Sequence, residues 1–162
     1  MNAVADTISD LDAALELLAT AHDATSRRNG VRTVLACLYE LREYRRGAGL
    51  ARDAYAQRAD STPAGRISES LIFLRGKATH LSFKNFAPDV RGTFPGRAYP
   101  GEATPGQTYI WLRLDELDEP FVVPPRDRKF ASDYTDLVAD HAVVRILRTA
   151  RDFLAMDPGP TS

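Results

Sequence analysis

Apolar residues recur every three or four positions along four stretches of this chain, and this spacing constrains the fold more than any other sequence feature. Residues at such intervals line one side of an α-helix, so each stretch predicts an amphipathic helix. The four stretches cover residues 8–22, 31–59, 63–81 and 132–156. Together they predict a mainly α fold, a four-helix up-and-down bundle.

Local signals set the helix ends. The polar run at residues 25–30 is expected to end the first helix, and Thr62 followed by Pro63 is a typical helix start, with Thr62 as the N-cap. Gly47 and Gly49 each cost about 1 kcal/mol inside a helix. The second helix therefore either continues to about Ala59 or bends or breaks at these glycines.

A stretch rich in glycine and proline separates the third helix from the last. Residues 86–107 are expected to form an irregular loop. Residues 109–112 and 121–123 predict two short strands on either side of an acidic turn, so we expect a small β hairpin at 108–124, inserted before the last helix. We expect one domain over residues 1–156 and a disordered tail at 157–162.

The composition is that of a soluble protein. With 162 residues and 44% apolar residues, the chain can bury a sizeable core. It has no apolar run of the roughly 20 residues that a membrane helix needs, and its first twelve residues lack the basic side chains of a signal peptide. A single cysteine, Cys37, excludes an internal disulfide framework. We expect a cytoplasmic protein without membrane contact.

Charge is distributed unevenly along the sequence. Residues 1–26 carry five acidic and no basic side chains, residues 27–97 carry fourteen basic against six acidic ones, and residues 98–162 carry seven against eleven. The basic middle could bind an anionic partner, or the acidic ends could neutralise it within the fold. The sequence leaves both interpretations open.

The third predicted helix is apolar on two sides. Its main stripe runs from Ile67 to Leu81, but Ile72, Phe73 and Gly76 fall on roughly the opposite side. Such a helix is either central in its domain or buried against a second copy. Because Gly76 would let another backbone approach closely, we predict a homodimer formed through this helix.

Glu69 and His80 share that second face, and Arg75 lies at its edge. An Arg and a His separated by four residues, near the end of a helix in a small helical protein, resemble the HEPN superfamily and a type of actinobacterial protein associated with it. The resemblance extends from about Ser61 to Leu154. Many members have a polar residue, often Asn, after the Arg, whereas this chain has Gly76.

The resemblance implies a dimeric, metal-independent endoribonuclease, often a toxin or defence component, with RNA and a cognate protein as partners. His80 would act as general base on a ribose 2′-hydroxyl or as acid to the leaving oxygen. Arg75 would bind the scissile phosphate through its guanidinium fork. Glu69 could orient either residue, and Lys77 could contact phosphate.

Other interpretations need no catalysis. Arg75 could serve solvent or an ion pair, and His80 could cap its helix. The chain would then be a non-catalytic dimerisation or partner-binding module. We expect no metal or cofactor, since the three histidines lie on three different predicted helices without ligand spacing, and no phosphate-binding glycine loop is present.

Overall fold

The computed structural model describes residues 3–47, 49–78, 86–88, 109–116 and 123–156, with backbone alone at residues 50, 77, 78 and 88. These residues form six α-helices, one pair of short antiparallel strands and two single-turn 3₁₀ helices. The α-helices are α1 (Ala3–Ala19), α2 (Ala24–Arg46), α3 (Leu50–Ser61), α4 (Pro63–Ala78), α5 (Arg128–Leu137) and α6 (Val143–Ala155). The strands are β1 (Phe86–Pro88) and β2 (Tyr109–Trp111). The mainly α prediction is confirmed, but the number of helices is six and not four.

The junction between α1 and α2 lies earlier than predicted. The polar run at residues 25–30 forms the first turns of α2, because the Asp23 carboxylate caps that helix by accepting the Ser26 backbone N–H at 2.8 Å. His22 lies exposed in the turn and is not part of the α1 stripe. Gly30 allows close packing, since a Cβ there would meet the Leu18 side chain at 3.1 Å.

The glycines after α2 break the helix, as one of the two interpretations predicted. Gly47 and Gly49 have φ of +56° and +59°, a backbone conformation that favours glycine. α3 then continues to Ser61, and Thr62 caps α4 as predicted, accepting the Gly65 N–H at 3.1 Å.

The predicted last helix is interrupted at residues 138–142, which separates α5 from α6. Here the backbone pairs with β2 instead of continuing the helix. The Asp140 N–H donates to the Trp111 carbonyl at 2.9 Å, and the Trp111 N–H donates to the His141 carbonyl at 3.0 Å. Asp140 adopts a φ of +65° in this turn. Together with the break after α2, this interruption raises the helix count from four to six.

The strand pair differs from the predicted hairpin. A small antiparallel strand pair does precede the last helices, but in it β2 pairs with β1, with Phe86 opposite Trp111. Its other edge bonds to residues 140–142, so neither edge is available for the predicted partner. Residues 86–88 are consequently a strand and not the start of the irregular loop. Residues 89–108 and 121–122 and the predicted tail at 157–162 lie outside the described residues.

The helical stripes meet in one apolar cluster. All six helices except α5 contribute several side chains to it, and α5 contributes Tyr134, whose hydroxyl donates to the Leu112 carbonyl at 2.6 Å. Trp111 is fully buried beneath the strand pair. Within the described residues, no helix is both long enough and apolar enough to cross a membrane.

Candidate functional site

The candidate site lies on α4, the helix that carries Arg75. One side of α4 is core, with Ile67, Leu71 and Leu74 buried as predicted. This helix contacts α2, α3, α5 and α6, so it is central in the fold. Arg75 stands in its last four residues, where the chain leaves the core.

The second apolar side of α4 is partly covered by α5. The Phe73 ring stacks on Phe130, with ring centroids 6.3 Å apart and planes 25° from parallel. Ile72 is half-buried, whereas Gly76 is exposed, and among the described residues outside its own helix no atom lies within 4 Å of the position its Cβ would take. A helix with two apolar sides was expected to be either central in its domain or buried against a second copy. The central position of α4 explains why Phe73 is apolar. The expected packing of a second copy at Gly76 stays a prediction.

Arg75 contacts α2 through an aromatic ring. Its guanidinium carbon lies 4.2 Å from the centroid of the Tyr39 ring, within the range of a cation–π interaction. Both side chains stand at the surface, since Arg75 is half-buried and Tyr39 is 37% exposed. The ring therefore holds the charge of Arg75 in a fixed place between α2 and α4.

Glu69 is directed to α2 and α3. Its carboxylate accepts hydrogen bonds from Arg42 at 2.9 and 3.2 Å and from the Tyr55 hydroxyl at 2.7 Å. The side chains of Glu69 and Arg42 are only 11% and 15% exposed. The supporting role expected of Glu69 stays a prediction, and its observed contacts tie three helices together.

This cluster shifts the titration of its members. Burial lowers the pKa of Arg42, but the hydrogen bonds and charge of Glu69 outweigh burial and raise it overall. Burial, followed by the adjacent Glu69 carboxylate, raises the pKa of Tyr55 well above its ordinary value. Both groups therefore stay protonated through the physiological range, so Arg42 keeps its charge and Tyr55 stays neutral.

The remaining predicted site residues are not described in full. The backbone of Lys77 belongs to the last turn of α4, but its side chain lies outside the described residues, as does the whole of His80. The pairing of Arg75 with His80 therefore stays a prediction.

Two contributors to this site were not predicted from the sequence. Neither Arg42, which bonds to Glu69, nor Tyr39, which contacts Arg75, was singled out as a site residue. Arg42 and Glu69 stand 27 residues apart, so no local spacing connects them. Tyr39 follows a buried stripe residue, Leu38, and an aromatic at the edge of such a stripe is the one signal that could have indicated it.

Two arginines outside the basic middle pair with the acidic N-terminal helix. Arg151 donates to both carboxylate oxygens of Asp12 at 2.6 and 2.8 Å, and Arg148 lies 3.2 Å from Glu16. A middle arginine, Arg66, lies 3.4 Å from a carboxylate oxygen in the acidic C-terminal part. Part of the charge imbalance is thus neutralised within the fold.

Within the described part of the chain, no three His, Cys, Asp or Glu side chains are grouped so that they could hold a metal ion. Comparisons of the chain with protein-family models, with curated proteins and with solved structures gave no match. The family resemblance drawn from the sequence therefore belongs to the proposal that follows.

Proposed function

We propose that this chain is a HEPN-like RNA-processing or defence protein that acts as a homodimer through α4. The observation that carries the proposal is the position of Arg75, whose guanidinium is supported by the Tyr39 ring at the surface of α2 and α4. An arginine held in this way loses little side-chain freedom on binding a phosphate, which favours recognition of a nucleic-acid backbone.

The chemistry needs no metal. His80 removes the proton of a ribose 2′-hydroxyl, the 2′-oxygen attacks the adjacent phosphorus, and the bond to the 5′-oxygen breaks as that oxygen takes up a proton. The products are a 2′,3′-cyclic phosphate and a 5′-hydroxyl. Arg75 stabilises the negative charge that develops on the phosphoryl oxygens. Two copies of α4 side by side supply two pairs of Arg75 and His80. In this arrangement one subunit supplies the base and the other supplies the acid.

The dimer interface in this proposal includes the exposed surface around Gly76. A glycine on a helix surface lets a second helix approach closely, because no side chain separates the two backbones. A twofold axis at this point brings two Arg75 residues near each other. RNA is then the substrate, and a cognate protein that covers this surface would block RNA cleavage.

The test is cleavage of mixed single-stranded RNA in EDTA by wild type, Arg75→Gln and His80→Ala. Each substitution should reduce the rate about 100-fold or more, as expected for the loss of a charge-stabilising or proton-transferring group. Arg52→Gln is the matched control, since Arg52 is an exposed arginine on the neighbouring helix α3. Analytical ultracentrifugation of each protein gives the mass in solution. Equal cleavage by all four proteins would refute the assignment.

A second candidate function is a non-catalytic dimerisation or partner-binding module. It is favoured by the use of arginines inside the fold: Arg42, Arg148 and Arg151 all pair with carboxylates of this chain, which leaves less positive charge for RNA. Two tyrosines of α2, Tyr39 and Tyr44, are large exposed aromatic side chains of the kind enriched at protein interfaces. A dimeric mass without RNA cleavage in the same experiment would select this function.

A further inference from the structure

A cavity of about 180 Å³ lies where the end of α1, the first half of α2, the strand pair and the start of α6 meet. It is separate from Arg75 and plays no part in the function proposed above. Most of its lining residues are apolar, Leu18, Val31, Phe86 and Val143 among them, and polar atoms also form part of its surface. For comparison, an engineered apolar cavity of about 150 Å³ takes up benzene. The cavity can therefore hold a ligand with a ring or a short branched body.

One cationic side chain, Arg27, borders these apolar walls. Its Nε donates to the Ala21 carbonyl at 2.9 Å, and its guanidinium carbon lies 4.1 Å from the centroid of the Tyr109 ring, which also lines the cavity. These two contacts fix the plane of the guanidinium. Among the described residues, no carboxylate pairs with Arg27 and its two terminal nitrogens have no acceptor. The fixed guanidinium is thus able to accept an anion.

The start of α6 adds positive potential on another wall. Val143 and Val144, the first two residues of that helix, line the cavity, and no side chain caps the helix there. Because the first N–H groups of a helix have no acceptor within it, they favour negative charge nearby. The cavity therefore combines apolar lining residues with a fixed guanidinium at its edge, and the start of α6 lines the same cavity.

We propose that this cavity binds a small monocarboxylate with an aromatic or branched apolar body. The carboxylate would receive hydrogen bonds from the terminal nitrogens of Arg27, while the body fills the space beside Leu18, Val31 and Phe86. A carboxylate fits better than a phosphate, because a dianion surrounded by these apolar walls would have a single arginine to compensate it.

The experiment uses the full chain at neutral pH with benzoate as the probe, followed by ¹H–¹⁵N NMR and calorimetry. Benzoate should bind saturably and shift the amide signals of residues around the cavity, Val31 and Val143 among them. Benzyl alcohol, a neutral molecule of similar shape, should bind at least about tenfold more weakly, because it lacks the charge that Arg27 recognises.

Arg27→Gln should weaken benzoate binding at least about tenfold, whereas Arg28→Gln, which removes an exposed arginine next to it, should leave the affinity unchanged. Ala19→Phe is a second variant that fills the rim of the cavity from an exposed position and keeps Arg27; it should abolish binding. The proposal fails if benzoate does not bind at about 10 mM, which corresponds to very weak affinity. It also fails if benzyl alcohol binds as tightly as benzoate, or if either cavity variant binds benzoate like wild type.

Discussion

Two glycines of α4 stand in opposite surroundings, and replacing each by alanine tests the structure from two directions. A Cβ on Gly65 would lie 2.4 Å from the Ala59 carbonyl oxygen and 2.5 Å from the Ala59 Cα. These are backbone atoms of α3, so a rotamer change cannot relieve the overlap. In the part of the chain that the structure describes, a Cβ on Gly76 would have no atom within 4 Å outside its own helix. The two substitutions should therefore change stability in opposite directions.

The magnitudes follow from these distances. Non-bonded carbon atoms require about 3.5 Å, so Gly65→Ala forces α3 and α4 apart by about 1 Å. Overpacking of this kind costs about 1–3 kcal/mol, and an immovable backbone neighbour places the cost near the upper end, about 3 kcal/mol. Gly76→Ala removes a flexible residue from a helix and should gain about 0.5–1 kcal/mol. The free energies of unfolding of the two variants should differ by about 3–4 kcal/mol.

The assay is urea unfolding followed by circular dichroism at 222 nm, with thermal unfolding in parallel. For a chain of this length, 1 kcal/mol corresponds to about 2–4 °C in Tm, so Gly65→Ala should lower Tm by about 6–12 °C. If Gly65→Ala unfolds at the same urea concentration as wild type, the close approach of α3 and α4 is wrong. Gly76→Ala also probes the proposed dimer: if a second chain packs there, this variant should dissociate more readily although its monomer is more stable.

Three further predictions concern side chains. Glu69→Ala should lower the free energy of unfolding by about 2 kcal/mol, because the largely buried Arg42 loses two hydrogen bonds and keeps the more exposed Glu43 as a partner, while the Tyr55 hydroxyl loses its acceptor; Glu69→Gln, which keeps an acceptor, should lose less. Burial raises the pKa of Tyr55 and of Tyr134, so the unfolded state releases these protons first. The contribution of these two tyrosines to the free energy of unfolding is present below about pH 10 and declines as pH rises further. Absorbance at 295 nm measures the ionisation of the tyrosines, and unfolding at several pH values measures the loss of stability. Thr62→Ala should cost about 1 kcal/mol through loss of the N-cap, whereas Thr62→Ser should be close to neutral, both measured by urea unfolding.

Helices that depend on local signals could be predicted from the sequence. The stripe of Ile67, Leu71 and Leu74 is buried, Thr62 caps α4, and the break at Gly47 falls where glycine spacing allowed it. Each of these features depends on residues a few positions apart, because helical periodicity and capping act over one or two turns.

Features that depend on distant parts of the chain were missed. No glycine or proline interrupts residues 138–142, and the helix ends there because the backbone of Asp140 bonds to Trp111. The partner of β2 is likewise β1, more than twenty residues earlier in the chain. A periodic pattern carries no information about which distant segment will supply the hydrogen bonds. It therefore predicts that a helix or strand is present more reliably than it predicts the segment with which that element pairs.

The contacts of the arginines also depend on distant parts of the chain, and they bear directly on function. Arg45 belongs to the basic middle of the sequence, but it donates to the Leu154 carbonyl at 2.9 Å and to the Ala155 carbonyl at 3.1 Å, so it caps the end of α6. A long side chain can leave the side of the helix that its position suggests and reach a neighbouring element. Counting basic residues in a segment therefore overestimates the charge available to a partner. Arg75 makes a contact of another kind, with the Tyr39 ring beneath the face of its guanidinium. Because this contact depends on α2 as well as on α4, the contribution of Arg75 to binding follows from a single variant such as Arg75→Gln and not from its place in the sequence.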